Sequence, residues 1–521
     1  MKKAPLPAFL LVALQLLWVP FSSFLPAFEG RAPAKPKLVL AIVADQFRYD
    51  YLLRFKSNFN GGLRRLLSNG AVFTNARHEH FPTFTAVGHA ALLTGALPGV
   101  SGIIGNTWYD RYSGKPVPSA YDESTKLLGG ADGPGASPHN LLVSTVGDEM
   151  KMATQGKSRV FGISLKDYSG ILATGHMADS VYWYDAKTGN FVTSTYYAGQ
   201  LPEWLLAFNR LHPADRYKDA EWLGTRLPAE TGQRLYGLLQ FTPFGNELIE
   251  EMAEKVLVAE KLGTDDKTDL LVISFSSNDL VGHNYGPDSP QVRDISIATD
   301  KTLDKLFEFV DSHVGMKNVL VVFSADHGVS PQPEVNKARK MPGGRIDFGV
   351  VGTAIQGALV QRFGEGKWIS STPEDSVYLN WDLIHERKLT QKEVAEVAAQ
   401  AALKIPHVFR VYTRDQLLNG NVMDDQIGRR MMISYSMRRS ADLYILPDPY
   451  YLFGKIITTH GTPLGYDNHV PLIFMGPGIK AGRFHESVAI NDVAPTLATI
   501  LEVEIPSGSA GRILSEILIA P

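Results

Sequence analysis

Four short apolar runs most constrain how this chain can fold. Leu38 to Ala44 (LVLAIVA) ends at Asp45, and Asp269 to Phe275 (DLLVISF) is followed by Ser-Ser-Asn-Asp279. Asn318 to Ser324 (NVLVVFS) leads into Ala325, Asp326 and His327, and Val470 to Met475 (VPLIFM) ends at Gly476. Continuous β-branched runs of this length suit strands buried on both faces of a parallel sheet. The stretch Ser289 to Val314 between them places Ile295, Ile297, Leu303, Leu306, Phe307 and Val310 at helical spacing. Gly61 to Asn69, Gln391 to Ala402 and Asp492 to Leu501 give shorter helices. This alternation predicts an α/β fold, a doubly wound and mostly parallel sheet. Two stretches break the rhythm, at about 106–245, rich in Tyr, Trp, Gly and Pro, and at about 331–455. Both are expected to be insertions forming a cap over the active edge of one domain spanning 36–521; a separate binding module is the alternative.

Composition removes several classes of function. With no cysteine in 521 residues, disulfides, thiolate zinc sites, iron–sulfur clusters and cysteine nucleophiles are excluded. A metal would have to be held by oxygen and imidazole. A net charge of −3 leaves no electrostatic footprint for a nucleic-acid polymer or an anionic membrane. Lys2 and Lys3 precede an 11-residue run, Phe9 to Val19, broken only by Gln15. It reads as a secretory signal peptide over 1–27, too short to span a bilayer comfortably, with an uncleaved anchor as the alternative. The mature protein is therefore expected to be exported, periplasmic or extracellular, with no membrane span. Its oligomeric state is left open.

In open α/β sheets, function lies beyond the carboxyl ends of the strands. Three runs deliver an aspartate there: Asp45, Asp279 and Asp326. One such aspartate is usually a turn or helix cap. Three of them, with Asp279-x-x-x-His283 and the adjacent Asp326-His327, offer the oxygen and nitrogen donors that suit zinc. His460 gains weight as a further donor for two metal shells. In His80-Phe-Pro-Thr-Phe-Thr85 an extended segment enters an Ala/Leu-rich helix, so Thr85 falls at or near a helix N-terminus, where anions are favoured. A threonine there is ordinarily an N-cap; beside two metals its hydroxyl can attack phosphorus. The tract Arg77-His78-Glu79-His80 reads as a solvated loop next to this segment. A phosphate-binding P-loop fails at Gly156-Lys157-Ser158, because Lys151 stands where the first glycine belongs.

These elements together resemble the alkaline phosphatase superfamily, in particular the type I phosphodiesterase/nucleotide pyrophosphatase family and its threonine-nucleophile bacterial phosphatase branch. The likeness rests on the strand ending at Asp45, Pro82-Thr-Phe-Thr85-x-x-x-His, Gly102-Ile-Ile-Gly-Asn106 and Asn278-Asp279-x-x-x-His283. It continues through Ala325-Asp326-His327-Gly328 and His460-Gly461 to Tyr466-Asp467. The resemblance implies two Zn²⁺ ions, one held by Asp279, His283 and His460 and the other by Asp45, Asp326 and His327. It implies Thr85 as nucleophile and zinc ligand, Asn106 as a donor to a phosphoryl oxygen, and Thr83 as structural. The branch places a Lys-x-Arg pair after a strand; here Phe161-Gly-Ile-Ser-Leu-Lys166-Asp-Tyr168 keeps the lysine and puts Tyr168 where the arginine would stand. Tyrosine supplies one hydrogen bond but neither the charge nor the fork of arginine. A sulfatase is excluded because no C/S-x-P-x-R segment is present. The implied activity is hydrolysis of small phosphate monoesters through a phosphothreonine intermediate, with Asn106, Lys166 and Tyr168 against the substrate. A phosphodiesterase or nucleotide pyrophosphatase is the runner-up, and a non-catalytic phosphate-ester binding protein the remote alternative.

Overall fold

The computed structural model describes Met1, residues 35–373 and residues 375–519. The signal-peptide reading of 1–27 lies outside the described residues beyond Met1. Among them, no helix is long and apolar enough to cross a membrane.

An eleven-stranded sheet forms the spine of the protein. Seven of its strands matter here: β1 (Leu38–Ala44), β2 (Ala71–Phe73), β3 (Val160–Ser164), β4 (Ser180–Asp185), β5 (Asp269–Phe275), β6 (Val319–Ser324) and β7 (Leu472–Met475). They lie side by side in the order β2, β7, β6, β1, β5, β3, β4. From β6 to β4 every pair is parallel, with Ala44 beside Phe275 and Val43 beside Ser324. Every residue of β1, β5 and β6 is buried, as their uninterrupted apolar sequences require. The long amphipathic helix runs Pro290–His313, capped by the Ser289 hydroxyl, and buries Ile295, Leu303, Leu306, Phe307 and Val310. The architecture is the α/β, mostly parallel sheet that the sequence predicts.

The structure differs from that reading in two ways. β7 pairs antiparallel to β6 rather than parallel, with Leu472 opposite Ser324. The chain reaches β7 at the carboxyl edge of the sheet, from the loop bearing His460, so the strand must run back; burial on two faces does not encode direction. The stretch 106–245 is also not wholly set apart. β3 and β4 are interior parallel strands, and Asn190–Ser194, Tyr121–Leu128 and Pro134–Ala136 extend the sheet beyond them. Their short, aromatic or glycine-containing sequences hide them. The stretch 331–455 contains a four-stranded antiparallel sheet with a separate core that includes Val377, Leu443, Ile445, Val394 and Trp368. It touches the segment before Thr85, where Phe81 packs edge-on against Tyr444 and its N–H donates to Ser434 Oγ at 2.9 Å.

Candidate metal centre and nucleophile

Parallel neighbours end on the same edge of a sheet, about 4.8 Å apart. The register of β6, β1 and β5 therefore delivers Asp326, Asp45 and Asp279 to one place. Asp45 follows β1 directly and Asp326 follows β6 by one residue. Helix α1 (Ser277–Tyr285) follows β5 and carries Asp279 and His283 one turn apart on the same face. Exposure is 3% or less for Asp45, Asp279, Asp326 and His327, and 7% for His460.

Three histidines are oriented identically. Nδ1 of His283 donates to Thr458 O at 2.9 Å, Nδ1 of His327 to Gly328 O at 2.9 Å, and Nδ1 of His460 to Thr83 O at 2.7 Å. A carbonyl only accepts, so each Nδ1 carries its proton and each Nε2 points inward. Nε2 of His283 and of His460 lie 3.2 and 3.7 Å from Asp279 Oδ1. Nε2 of His327 lies 3.5 Å from Asp45 Oδ1 and 3.4 Å from Asp326 Oδ2. Two groups thus have ligand atoms within 4.8 Å of one another: Asp279, His283 and His460, and Asp45, Asp279 and His327. Asp279 reaches both groups, and Asp326 adjoins the second through His327.

The charges in this site are unusual. Burial, reinforced by Asp326, raises the Asp45 carboxyl well above the ordinary range against the opposing Lys166. Burial also raises Asp279, but Lys166 and His283 outweigh it and hold that carboxyl well below. Burial raises Asp326 as well, yet its carboxyl is held low, with His89 Nδ1 3.3 Å from its Oδ2. Burial pushes His327 and His460 down, so both rings are neutral. Asp45 Oδ1 and Asp326 Oδ2 are buried with no hydrogen-bond partner, and both face the unprotonated Nε2 of His327. Oxygen and nitrogen lone pairs directed at one another repel unless a cation lies between them. The donor set therefore fits hard or borderline metal ions.

Thr85 is the first residue of helix α2 (Thr85–Thr94). Its Oγ1 lies 3.2 Å from His327 Nε2 and 3.5 Å from Lys166 Nζ. Asn106 Oδ1 accepts the Ala86 N–H at 2.9 Å, which leaves the Nδ2 end of its amide as the donor. Lys166 follows β3 by one residue and stands at the N-cap position of the helix Asp167–Thr174 without a side-chain capping bond. Its ammonium lies 2.6 Å from Asp45 Oδ2 and 2.8 Å from Asp279 Oδ2. Burial lowers its pKa, but Asp279 and Asp45 outweigh that and hold it well above the ordinary lysine value. Tyr168 is half-buried against two small apolar clusters, and burial raises its phenol. Thr83 is bonded to the backbone, donating to Thr462 O at 2.9 Å and accepting from Gly461 N–H at 3.2 Å.

Three supporting residues were given no supporting role in the sequence reading, although His89 stands in the Thr85-x-x-x-His element and His78 in the Arg77–His80 tract. Gln46 adopts φ 63°, donates its backbone N–H to Asp326 Oδ1 at 3.1 Å, and donates its side-chain amide to Asp279 Oδ1. His89, one turn beyond Thr85, places Nδ1 2.9 Å from Thr85 O and 3.3 Å from Asp326 Oδ2. His78 Nε2 donates to Ala325 O at 3.0 Å. The available signal was membership of a quoted motif for His89 and adjacency to motif residues for Gln46 and His78, which says nothing of contact. The tract Arg77–His80 is also not the solvated loop expected, since His78 and His80 are 1% and 2% exposed. A polar tract is buried or solvated by what packs over it, and here distant segments cover it.

Residues 39–466 match the model of the type I phosphodiesterase / nucleotide pyrophosphatase family. The chain is 35% identical to alkaline phosphatase PafA of Elizabethkingia meningoseptica, over 95% of this chain and 97% of that protein. It is 34% identical to alkaline phosphatase PhoV of Synechococcus elongatus, over 95% of each. A crystal structure of PafA superposes with a TM-score of 0.86 at 34% identity, covering 93% of this chain and 99% of that one.

Proposed function

The chain belongs to the type I phosphodiesterase/nucleotide pyrophosphatase family, and from that premise we propose that it is an exported, zinc-dependent phosphomonoesterase with Thr85 as nucleophile. Phosphoric ester hydrolysis accords with relatives that are alkaline phosphatases over nearly their whole length. The catalytic unit spans 36–521, and the apolar run behind Lys2 and Lys3 supports export. Two zinc ions, one held by Asp279, His283 and His460 and one by Asp45, Asp326 and His327, would supply Lewis acidity on both sides of the transferred phosphoryl group.

The chain's own residues account for the rest. Thr85 Oγ1, at a helix N-terminus that favours negative charge, attacks phosphorus and displaces the alcohol. Water then cleaves the phosphothreonine, releasing phosphate and restoring the threonine hydroxyl. Asn106 Nδ2, free to donate because Oδ1 is tied to Ala86, bonds a non-bridging oxygen.

The observation that carries the monoester reading is the 3.5 Å between Lys166 Nζ and Thr85 Oγ1. A monoester keeps one more anionic oxygen than a diester, and a fixed cation beside the nucleophile answers it. Tyr168 favours the second reading, a phosphodiesterase, because the bidentate cation of Lys-x-Arg is missing. The test is kcat/KM on an aryl phosphate monoester and on the matching diester, for the zinc-loaded protein, Thr85→Ala and Lys166→Ala. A monoester preference lost with Lys166 is the expected result. A diester preference indifferent to Lys166 would install the second reading, and turnover independent of Thr85 would remove both.

A further inference from the structure

Away from Thr85, Arg77 and Arg430 line a cavity of about 600 Å³ together with Asn75, Glu79, Arg429 and Ser487. Neither arginine is fully exposed, and among the described residues neither has a carboxylate within 4.0 Å. Their bonds leave much of each guanidinium unspent. Arg77 gives Nε to Asn75 Oδ1 at 3.0 Å and Nη1 to Asn468 Oδ1 at 3.1 Å, while Arg430 gives Nη1 to Pro463 O at 3.2 Å. Among the described residues, Nη2 of neither makes a hydrogen bond. Burial lowers the pKa of both, and for Arg430 the charge of Arg77 adds to it while Glu79 opposes, so the two cations repel and Glu79 offsets only part of that. Nearby, His80 is 2% exposed and its Nε2 has no partner.

Two half-buried guanidinium groups beside one another, with Glu79 in the same lining but no carboxylate in contact with either, favour an anion that accepts from both planar forks, as a phosphate does. We propose that Arg77 and Arg430 form a second phosphate-binding site, distinct from the Thr85 centre, for a phosphate dianion that is either free orthophosphate or the terminal group of an ester. None of its lining residues is a candidate ligand or nucleophile. The site is nevertheless joined to the metal centre. Asn468 and Pro463, which hold the two arginines, flank the turn that follows His460, and Asp467 O in that turn accepts the Gly328 N–H at 2.6 Å. Phosphate there would brace the segment that connects His460 with His327.

Equilibrium dialysis of radiolabelled orthophosphate, and separately of phenyl phosphate, tests this in metal-loaded Thr85→Ala protein, which leaves the ester intact. The expected result is a binding equivalent for at least one probe that weakens tenfold or more in Arg430→Gln and in Arg77→Lys. Arg77→Lys keeps the positive charge and so guards against a variant that fails to fold. The tighter probe identifies the source of the phosphate. Binding of both probes that is the same with and without the two substitutions would overturn the proposal. If the Thr85 reading were wrong, the equivalent at the metal centre would be missing while the arginine-dependent one persisted, so the two failures are distinguishable.

Discussion

The Oε1 atom of Gln46 occupies the space that a side chain on Gly282 would need: a Cβ built there would lie 1.8 Å from it. Gln46 is a buried non-glycine residue in the left-handed region, at φ 63°, a conformation that persists only where surrounding contacts hold it. Those contacts are Asp326, through its backbone N–H, and Asp279, through its side-chain amide. Gly282→Ala should displace the Gln46 amide from Asp279 and lower metal affinity by about 10–100-fold, the usual cost of losing a partner of a metal ligand. Zinc titration of the apo-protein measures it; unchanged affinity would mean Gln46 does not position Asp279.

Thr85→Ala should lower kcat/KM on an aryl monoester by about a thousandfold or more, because the nucleophile acts as a unit with its surroundings. Thr85→Ser should retain much of the activity. Acid quenching of wild type with labelled substrate should trap label on Thr85, and label at any other residue would refute the assignment.

Lys166→Ala should reduce monoester turnover by about 10²–10³-fold, the range for removing one group that stabilises developing negative charge. The diester rate should fall much less. Tyr168→Arg should raise the monoester-to-diester ratio, since it adds charge and a bidentate donor. A ratio that falls in Tyr168→Arg would show that this position does not face the phosphoryl group.

Chelation should destabilise the protein as well as inactivate it. Without a cation, Asp45 Oδ1 stays buried and unpartnered, and Asp326 Oδ2 has only the 3.3 Å contact with His89 Nδ1, while both oxygens are directed at the His327 lone pair. The melting temperature should drop in EDTA and recover with zinc, and metal analysis should return two equivalents per chain. A chelator-insensitive melting temperature would contradict the ligand set.

Glu250 gives a pH dependence remote from this centre. Burial and the neighbouring Glu254 raise its carboxyl to about 8, although Lys305 lies 2.6 Å away and pulls it down. The folded state therefore binds a proton that the unfolded chain has released above its ordinary value near 4.5. Stability should fall as pH rises from about 4.5 through about 8. Glu250→Gln should flatten that slope and stabilise the protein at pH 8 relative to wild type. Melting curves at several pH values in both proteins check this, and parallel slopes would discount it.

Part of the fold was readable directly. β1, β5 and β6 are continuous apolar runs because both of their faces are covered, and that burial is a local property of sequence. The direction of β7 was not readable, because an antiparallel strand buried on both faces carries the same pattern. β3 was legible as the strand before Lys166 but not as a member of the main sheet, and β4 was obscured by aromatic residues that suit insertions equally well. His78 and His80 were misjudged because only the segments packed over them decide whether a polar tract meets water.

The sequence by itself determined the chemistry available: no sulfur ligand, three aspartates behind buried strands, three histidines in motif positions and a threonine entering a helix. Tertiary structure alone decided which of these meet. Thr85 and His327 are 242 residues apart in sequence yet meet at 3.2 Å, because parallel pairing aligns the ends of β6, β1 and β5 and the helix that begins at Thr85 packs at that edge. The left-handed turn at Gln46, the shared reach of Asp279 and the unpaired charges of Arg77 and Arg430 arise in the same way. Each depends on hydrogen-bond register and packing between distant segments, which local sequence does not encode.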